Sequence, residues 1–571
     1  MSVFKEFQGV INKGLKQTFD IEEGFVENII VEMPREQGHG DLSTNAAMVL
    51  AGKLKKAPKV IAQSICDYLQ THPDVAKCEI AGPGFVNFDL KVARWQKGLK
   101  EILELKEKYG QEDIGQGVRV NVEYVSCNPT GPMHIGHTRG AIYGDALANI
   151  LQYAGYDVVR EFYINDAGSQ LDILATSLFL RYQEALTGKE VKIPEGLYPG
   201  EYLIPIGKKL AKEHQDLSLE KDAEIIKKFA VKEMMALIKD DLAALGIHHD
   251  IFFSEKTFLH DQNKISKVIE ELRGKGFIYQ GTLPSPKGRE LEDFNPEEQL
   301  LFKSTEFGDD QDRSLQKRDK SWTYFAAEVA YFKDKIERGF NKLILVLGAD
   351  HVGYIKRAKA VCAAIDKSVD CIITTCQLVN YMKGGQAIKM SKRSGNFLCA
   401  SDIMELVGAD ALRFMMLTRK NDAIIDFDVD QVVDYSKDNP VFYVQYAHVR
   451  TNSILNSAPE DVRTIFEEGK FDLSLLSLEE EISLIKKLAS WPKVLEGAVK
   501  TFEPHRIVFY LQSLAASFHG LWQLCKDGQS YRFIVENNPQ LTAARFTLAA
   551  SIKIIIANGL GLIGVKPMER M

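Results

Sequence analysis

The 571-residue chain has few cysteines, no internal repeat and no surplus of positive charge, and each shortage removes a class of protein. Its eight cysteines (Cys66, Cys78, Cys127, Cys362, Cys371, Cys376, Cys399 and Cys525) are scattered, and none forms C-x-x-C. Cys371 to Cys376 is an isolated C-x4-C without a second ligand pair. The pattern argues against a disulfide framework or a structural zinc, and predicts buried, reduced thiols in a reducing compartment. The opening MSVFKEFQGV lacks a long apolar run followed by a small-residue cleavage site, so no secretory leader is expected. Lys+Arg number 71 against 78 Asp+Glu, a net charge of −7 with a pI near 6.0. That excludes gripping nucleic acid by bulk charge and leaves local patches open. Residues 431–571 carry 15 basic and 15 acidic side chains, so the whole imbalance lies in residues 1–430. One stretch, Phe546 to Val565, is apolar enough to weigh as a membrane span. Lys553, Asn558, Gly559, Gly561 and Gly564 interrupt it, and a buried terminal helix is the expected outcome. A soluble, cytoplasmic protein without membrane contact is expected.

Periodicity divides the rest. Residues 1–110 read as a small α+β unit. Ser43-Thr44 can cap a helix with apolar Ala47, Leu50, Ala51 and Leu54, and Val86, Phe88 and Leu90 alternate with Asn87 and Asp89 as in a strand. Val118 to Val125 is β-rich, followed by a Pro/Gly loop, an amphipathic helix ending near Gly155 and a strand over Val158–Ile164. Strand, helix, strand in that order predicts a parallel sheet. Leu343–Leu347 reads as a strand buried on both faces and Ile372–Thr375 as another, with a long insertion over about 170–340. Beyond 431 only helical periodicity is visible, around 474–490, 503–524 and 541–560.

Two motifs carry chemistry. Pro129-Thr-Gly-Pro-Met-His-Ile-Gly-His137 follows a strand and opens a helix, whose N-terminal N–H groups and dipole attract phosphate. His134 and His137, three apart, share a face and can both donate to one phosphate group. Gly136 leaves room for a flat base, and Gly131 and Pro132 belong to the same nucleotide loop. Some 250 residues later, Lys389-Met390-Ser391-Lys392 lies between Gly384-Gly385 and Gly395. Two lysines and a serine there make a cationic clamp for charge developing on a leaving pyrophosphate. Each motif needs the same triphosphate, so ATP is the expected substrate, with Mg²⁺ arriving on its phosphates and no protein metal cage. Asp350 and His351 end a buried strand, where parallel sheets bind ligands. Tyr443, Tyr446, His448 and Arg450 interleave aromatics with a base, as in surfaces on which unstacked RNA bases rest or in a packed bundle helix.

The pair HIGH and KMSK resembles the signature of class I aminoacyl-tRNA synthetases. With Gly38–Ser43, Glu123–His134, Tyr163–Gly168, Tyr198–Tyr202, Leu347–His351, Asp410-Ala-Leu-Arg413 and Glu569-Arg-Met571, the chain is similar over nearly its whole length to the arginyl-tRNA synthetases of bacterial type. The resemblance implies an α/β fold in which a Rossmann-type parallel-sheet catalytic domain with an insertion (111–430) follows a small α+β domain binding the outer corner of tRNA (1–110). An all-α helical bundle for the anticodon (431–571) completes it. It implies activation of L-arginine by ATP to arginyl-adenylate and pyrophosphate, then transfer of arginine to the 3′ end of tRNA(Arg), by a monomer. Family members generally need bound tRNA for the first step.

By the same resemblance the amino-acid pocket comprises Glu123, Ser126, Asn128, Tyr324 and Glu328, and Asp350 and His351 face the nucleotide and amino-acid cavity. A guanidinium never loses its charge, so carboxylates in its pocket are what chemistry demands. Glu123 and Glu328 are expected at the charged ends of the substrate, with Tyr324 and Asn128 setting its orientation. Tyr324 and Glu328, four apart on a helix, could also be surface neighbours, the lesser alternative. Two positions depart from the family pattern: Glu328 stands where aspartate is usual, and Arg318-Asp-Lys320 where an S-D-G turn is common. A class I ligase for another amino acid would want a differently charged pocket, and an RNA-binding paralogue without catalysis would need none of His134, His137, Lys389, Ser391 or Lys392.

Overall fold

A computed structural model describes residues 2–19, 21, 28–34, 38–283, 298–388, 398–434 and 439–571. The centre is a five-stranded parallel sheet, built from β1 (Arg119–Glu123), β2 (Asp157–Ile164), β3 (Ile251–Ser254), β4 (Lys342–Gly348) and β5 (Asp370–Cys376), in the order β5-β4-β1-β2-β3. Asn121 is in register with Val159 on one side and Leu343 on the other. The chain leaves β1 towards β2 and β3, then returns to lay β4 and β5 on the opposite flank. Order therefore reverses between β1 and β4, the crevice where sheets of this kind bind ligands.

The helix after β1, α1 (Ile135–Tyr153), is buried nearly all round, as its run of alanine, isoleucine and leucine requires. It lies so close to the sheet that a Cβ at Gly144 would stand 2.3 Å from the Tyr124 side chain. The insertion between β2 and β3 contains α2 (Gln170–Thr187) and α3 (Leu219–Ala244), which share a small core of their own. Between β3 and β4 comes a three-stranded antiparallel sheet (Ile278–Gly281, Gln299–Phe302 and Arg313–Ser314), followed by α4 (Tyr324–Glu337). After β5, Val379–Lys383 and Gln386–Ala387 form a hairpin through Gly384 and Gly385, at φ +57° and +73°. Two successive left-handed residues are what a tight two-residue hairpin turn demands.

The N-terminal unit is a four-stranded antiparallel sheet backed by helices. Thr44 belongs to one of its strands, and the helix that Ser43-Thr44 was expected to cap starts at Ala46 after Asn45. Cys66 and Cys78 form a disulfide between the helix Pro58–Gln70 and the strand Val75–Ala81, with Cα atoms 5.7 Å apart. This corrects the expectation of reduced thiols at these two positions. The helix and its following strand pack face to face, so a twelve-residue separation closes on itself. The C-terminal part includes α6 (Pro440–Asn456), α7 (His505–Asp527) and α8 (Pro539–Leu562), preceded by α5 (Ala409–Met416). Among the described residues no strand follows Ile425–Asp428. The apolar α8 is the bundle's buried axis, with Phe546, Leu548, Ile552, Ile555 and Ile556 enclosed.

Candidate active site

At the end of β1 the chain turns sharply. Ser126 N donates to Tyr124 O (3.0 Å) across Val125, whose φ is +70°, and Ser126 itself has φ +38°. A β-branched residue rarely adopts such a backbone, and strain of this sort gathers at functional loops. The turn is fixed from both flanks: Ser126 Oγ donates to Glu123 Oε1 (3.1 Å) and accepts from Tyr163 N in β2 (3.0 Å). Gly131 lies against the hydroxyl of Tyr202, which donates to Thr130 O (2.9 Å), and Pro132 is buried. At Met133 the N–H donates to Asp241 Oδ2 of α3 (3.1 Å), and the carbonyl accepts from Ala400 N (2.9 Å). Burial pushes the Asp241 carboxyl up to about 6.

His134 is the N-cap of α1. Its Nδ1 accepts from Gly136 N (3.1 Å), while its own N–H donates to His137 Nδ1 (3.3 Å), a reciprocal cap. Because both Nδ1 atoms accept, each neutral ring carries its proton on Nε2. The rings stack with centroids 3.6 Å apart and planes 13° from parallel. Two N–H donors with assigned tautomers thus stand together at a helix N-terminus. A Cβ at Gly136 would come within 3.1 Å of the His134 ring, so this glycine makes room for the cap itself.

A cavity of about 310 Å³ opens at the C-terminal edge of β1 and β2. It brings together Asn128, Tyr324 and Glu328, and adds Thr130, Asn165 and Gln170. Asn128 Nδ2 donates to Gln170 Oε1 (3.1 Å), and its Oδ1 accepts from Asn165 Nδ2 (3.3 Å), so three amides form one rim. Tyr324 opens α4 and is 56% exposed. Glu328, one turn on, keeps 26% of its side chain exposed, and its Oε1 accepts from Arg357 Nη2 (3.2 Å). Burial pushes its carboxyl up to about 7 against the pull of Arg357, with Glu255 and Glu123 repelling in the same direction as burial.

Glu123 sits one layer deeper. Its Oε2 accepts from the ammonium of Lys335, itself fully buried, and lies 3.0 Å from the Tyr331 hydroxyl. That hydroxyl is also 2.6 Å from Glu161 Oε1, and Arg338 grips Glu161 with two bonds of 2.7 and 2.9 Å. Burial works against the Glu161 charge, but Lys335, Arg338 and Tyr331 together hold its carboxyl below the ordinary value. The two deep carboxylates are thus matched by two cations of the chain, and Glu328, paired with Arg357, is the carboxylate that faces the cavity.

Asp350 and His351 occupy the short turn after β4, both exposed, with His351 Nε2 3.5 Å from Asp350 Oδ2. Lys389, Met390, Ser391 and Lys392 lie outside the described residues. Cys399, described just beyond them, forms an antiparallel bridge with His134. Asn165, Gln170, Arg357, Tyr331 and Lys335 were not anticipated. The first two stand at and just beyond the C-terminal end of β2, where the rule that led to Asp350 and His351 would have found them.

In the helical part, Arg450 lies 4.0 Å over the ring of Tyr446 and 5.3 Å from that of Trp522, and Tyr443 packs on His519. His448 is buried, with Nδ1 2.8 Å from Met568 O, and holds the terminal tail instead of presenting a face to RNA.

Three family models match the chain: arginyl tRNA synthetase N terminal domain (residues 5–90), tRNA synthetases class I (R), catalytic domain (98–456) and DALR anticodon binding domain (444–571). The chain is similar to the arginine–tRNA ligase of Rickettsia felis, 51% identical with all of both chains covered. The one from Rickettsia bellii is also 51% identical over the full length of both. Among solved structures it is similar to the arginyl-tRNA synthetase of Thermus thermophilus, with TM-score 0.73, 20% identity and 100% of each chain covered. The Plasmodium falciparum arginyl-tRNA synthetase gives TM-score 0.72 and 16% identity, covering 100% of this chain and 99% of that one.

Proposed function

Because the chain belongs to the arginyl-tRNA synthetase family of class I synthetases, we infer that it is an arginine–tRNA ligase. It activates L-arginine with ATP, releasing pyrophosphate, and transfers arginine from the adenylate to the 3′ end of tRNA(Arg). The observation that carries the reading at the site is a pair of features on the loop that leaves β1: a cavity lined by Asn128, Thr130 and the carboxylate of Glu328, and a few residues on a helix N-terminus with two Nε2–H donors.

ATP lies with its phosphates at the start of α1, where the helix dipole and the rings of His134 and His137 oppose negative charge. Gly131, Pro132 and Gly136 keep the loop close to the nucleotide, and Asp350 and His351 border it from β4. Arginine enters the cavity with its guanidinium towards Glu328 and Tyr324, and Asn128 orients the main-chain end. Glu123 and Ser126 shape the floor, since the Glu123 carboxylate is engaged by Lys335 and Ser126. The substrate carboxylate then attacks the α-phosphorus and pyrophosphate leaves. Lys389, Ser391 and Lys392 take up the charge that develops on it, with Met390 completing the segment. Mg²⁺ travels with the triphosphate.

The 1–110 unit takes the outer corner of tRNA, 111–430 the chemistry and 431–571 the anticodon, where Tyr443, Tyr446 and Arg450 offer a stacking face. We read the enzyme as a cytoplasmic monomer without membrane contact, and α8, the one described helix apolar enough to cross a bilayer, is mostly buried in its bundle. Charging of tRNA with each labelled amino acid in turn tests the reading. Arginine alone is expected to be transferred, and transfer of lysine or glutamine but not arginine would overturn it.

A further inference from the structure

Among the described residues, Glu328 is the one carboxylate lining the arginine cavity. Its partner Arg357 stands in the helix Ile355–Ile365, which follows directly on the turn bearing Asp350 and His351. The Arg357 guanidinium rests against two aromatic rings, 4.6 Å from the centre of Tyr354 and 5.6 Å from that of Phe325. Phe325 belongs to α4, so the helix that carries Glu328 also supplies part of the surface on which its partner rests. Arg357 Nη2 donates to Glu328 Oε1 (3.2 Å), and Arg357 Nε is buried with no partner among the described residues. Only one oxygen of the carboxylate is engaged in this pair, which leaves Oε2 for a ligand in the cavity.

The other charges that face Glu328 do not replace this partner. Glu123 from β1 and Glu255 from the turn after β3 repel it, and Arg313 attracts it from the short strand Arg313–Ser314. Arg313 is itself taken by Asp309, through bonds of 2.9 and 2.8 Å, and by Asp310 (2.7 Å). Tyr163 of β2 and Tyr354 stay neutral, because burial pushes both hydroxyls up. Arg357 is therefore the cation that decides the charge of Glu328. A guanidinium suits the place, since it never gives up its proton and stacks on aromatic faces.

We propose that Arg357 is a positioning residue for the substrate: it grips one oxygen of Glu328, keeps the group ionised and turns the other oxygen to the arginine guanidinium. The inference rests on the ligase reading above, with Glu328 as the partner of that guanidinium. Two guanidiniums on one carboxylate repel each other, a cost to binding. Without the resident one, however, burial and two neighbouring acids would leave a protonated Glu328 facing the substrate over the neutral range. A neutral acid has no charge to offer a ligand that is always a cation.

The test follows arginine activation by the full-length enzyme at saturating tRNA, from about pH 6 to about pH 9. The variants are Arg357→Gln, Arg357→Lys, Glu328→Gln and the two glutamine changes combined, and thermal melting verifies the fold of each. In Arg357→Gln the rising limb of kcat/KM for arginine is expected to move up by about one pH unit or more, the effect of one adjacent opposite charge. The value then lies about tenfold below the parent near pH 6 and approaches it near pH 9, a recovery that a merely distorted site would not show. The ATP KM is expected to stay within about twofold. Arg357→Lys keeps the charge and is expected to return the limb most of the way. On the Glu328→Gln background, Arg357→Gln is expected to add no further pH dependence. A limb that stays put in Arg357→Gln, an equal loss at every pH, or a gain near pH 6 would overturn the proposal. A Glu328→Gln variant that keeps the parent's limb would instead defeat Glu328 as the guanidinium partner, and a parent enzyme that charges no arginine would defeat the ligase reading.

Discussion

Glu328 offers the most direct test at the scale of a single side chain. With its carboxyl pushed up to about 7, Glu328 passes from a neutral acid to an anion across that pH, and in the proposed pocket only the anion pairs with a guanidinium. The kcat/KM for arginine, which reports ionisations of the free enzyme, is expected to rise with pH through about 7. Glu328→Gln should flatten that limb and raise the arginine KM well above any change in the ATP KM, because it removes charge from the guanidinium side only. An unaltered pH profile in the variant would exclude Glu328 from the pocket. The sign for folding is opposite: a carboxyl whose folded value exceeds 4.5 contributes stability at low pH and loses it as pH rises through about 7. At the nucleotide side, His137→Ala deletes an Nε2 donor and the acceptor for the His134 N–H. A loss of about 10²–10³ in the rate of activation is expected, with tRNA affinity nearly unchanged, as measured by single-turnover kinetics and by tRNA binding. Chemistry alone pointed to carboxylates for a guanidinium, and of Glu123 and Glu328 it is Glu328 that lines the cavity. The pairing of Glu123 with Lys335, 212 positions away, was beyond any local pattern.

Among the elements, α1 is held by a buried pin. Arg413 of α5 pairs with Asp145 of α1 and donates to Leu245 O after α3 (2.9 Å) and to Ile563 O at the end of α8 (3.0 Å). Four segments thereby converge on one guanidinium, against which Gly564 must remain without a side chain. Arg413→Met leaves the Asp145 charge uncompensated in the interior and is expected to destabilise the protein by about 3–5 kcal/mol in denaturant unfolding. Adding Asp145→Asn should recover part of that loss, and simple additivity of the two changes would refute the pairing. The strands and helices around this pin were visible in hydrophobic periodicity: β1, β2, β4 and α1 fall within a few residues of their expected bounds. The pin was not, because Asp145, Leu245, Arg413 and Ile563 carry no shared local signal, and burial is what makes them partners. The short strands Ile278–Gly281 and Arg313–Ser314 were likewise illegible, being too brief to establish an alternation.

Over the whole molecule, the terminal units bind each other as well as the centre. Asp41 of the N-terminal unit accepts from Trp95 Nε1 (3.0 Å) and pairs with Lys486 of the bundle, and Gln96 donates to Leu476 O (2.9 Å). Lys486→Ala is expected to weaken the docking of the N-terminal unit and to speed its proteolytic release, measured by limited digestion, while arginine activation persists. If cleavage were unaffected, that ion pair would not hold the units together. The division into a small α+β unit, a parallel-sheet centre and a helical end was readable from composition and period, since each rests on local pattern. How the two terminal units are tied to each other was not, because Asp41 and Lys486, like Gln96 and Leu476, stand hundreds of positions apart.

The guanidinium that seats α1 draws on Ile563, and Asn149 of the same helix donates to Leu562 O (3.3 Å). A ribosome makes Leu562 only 413 residues after Asn149. While the nascent chain is still tethered, the catalytic helix has been synthesised for over 400 residues without its final support. A product truncated by premature termination before residue 560 lacks both acceptors, and is expected to be inactive and a ready substrate for cellular proteases.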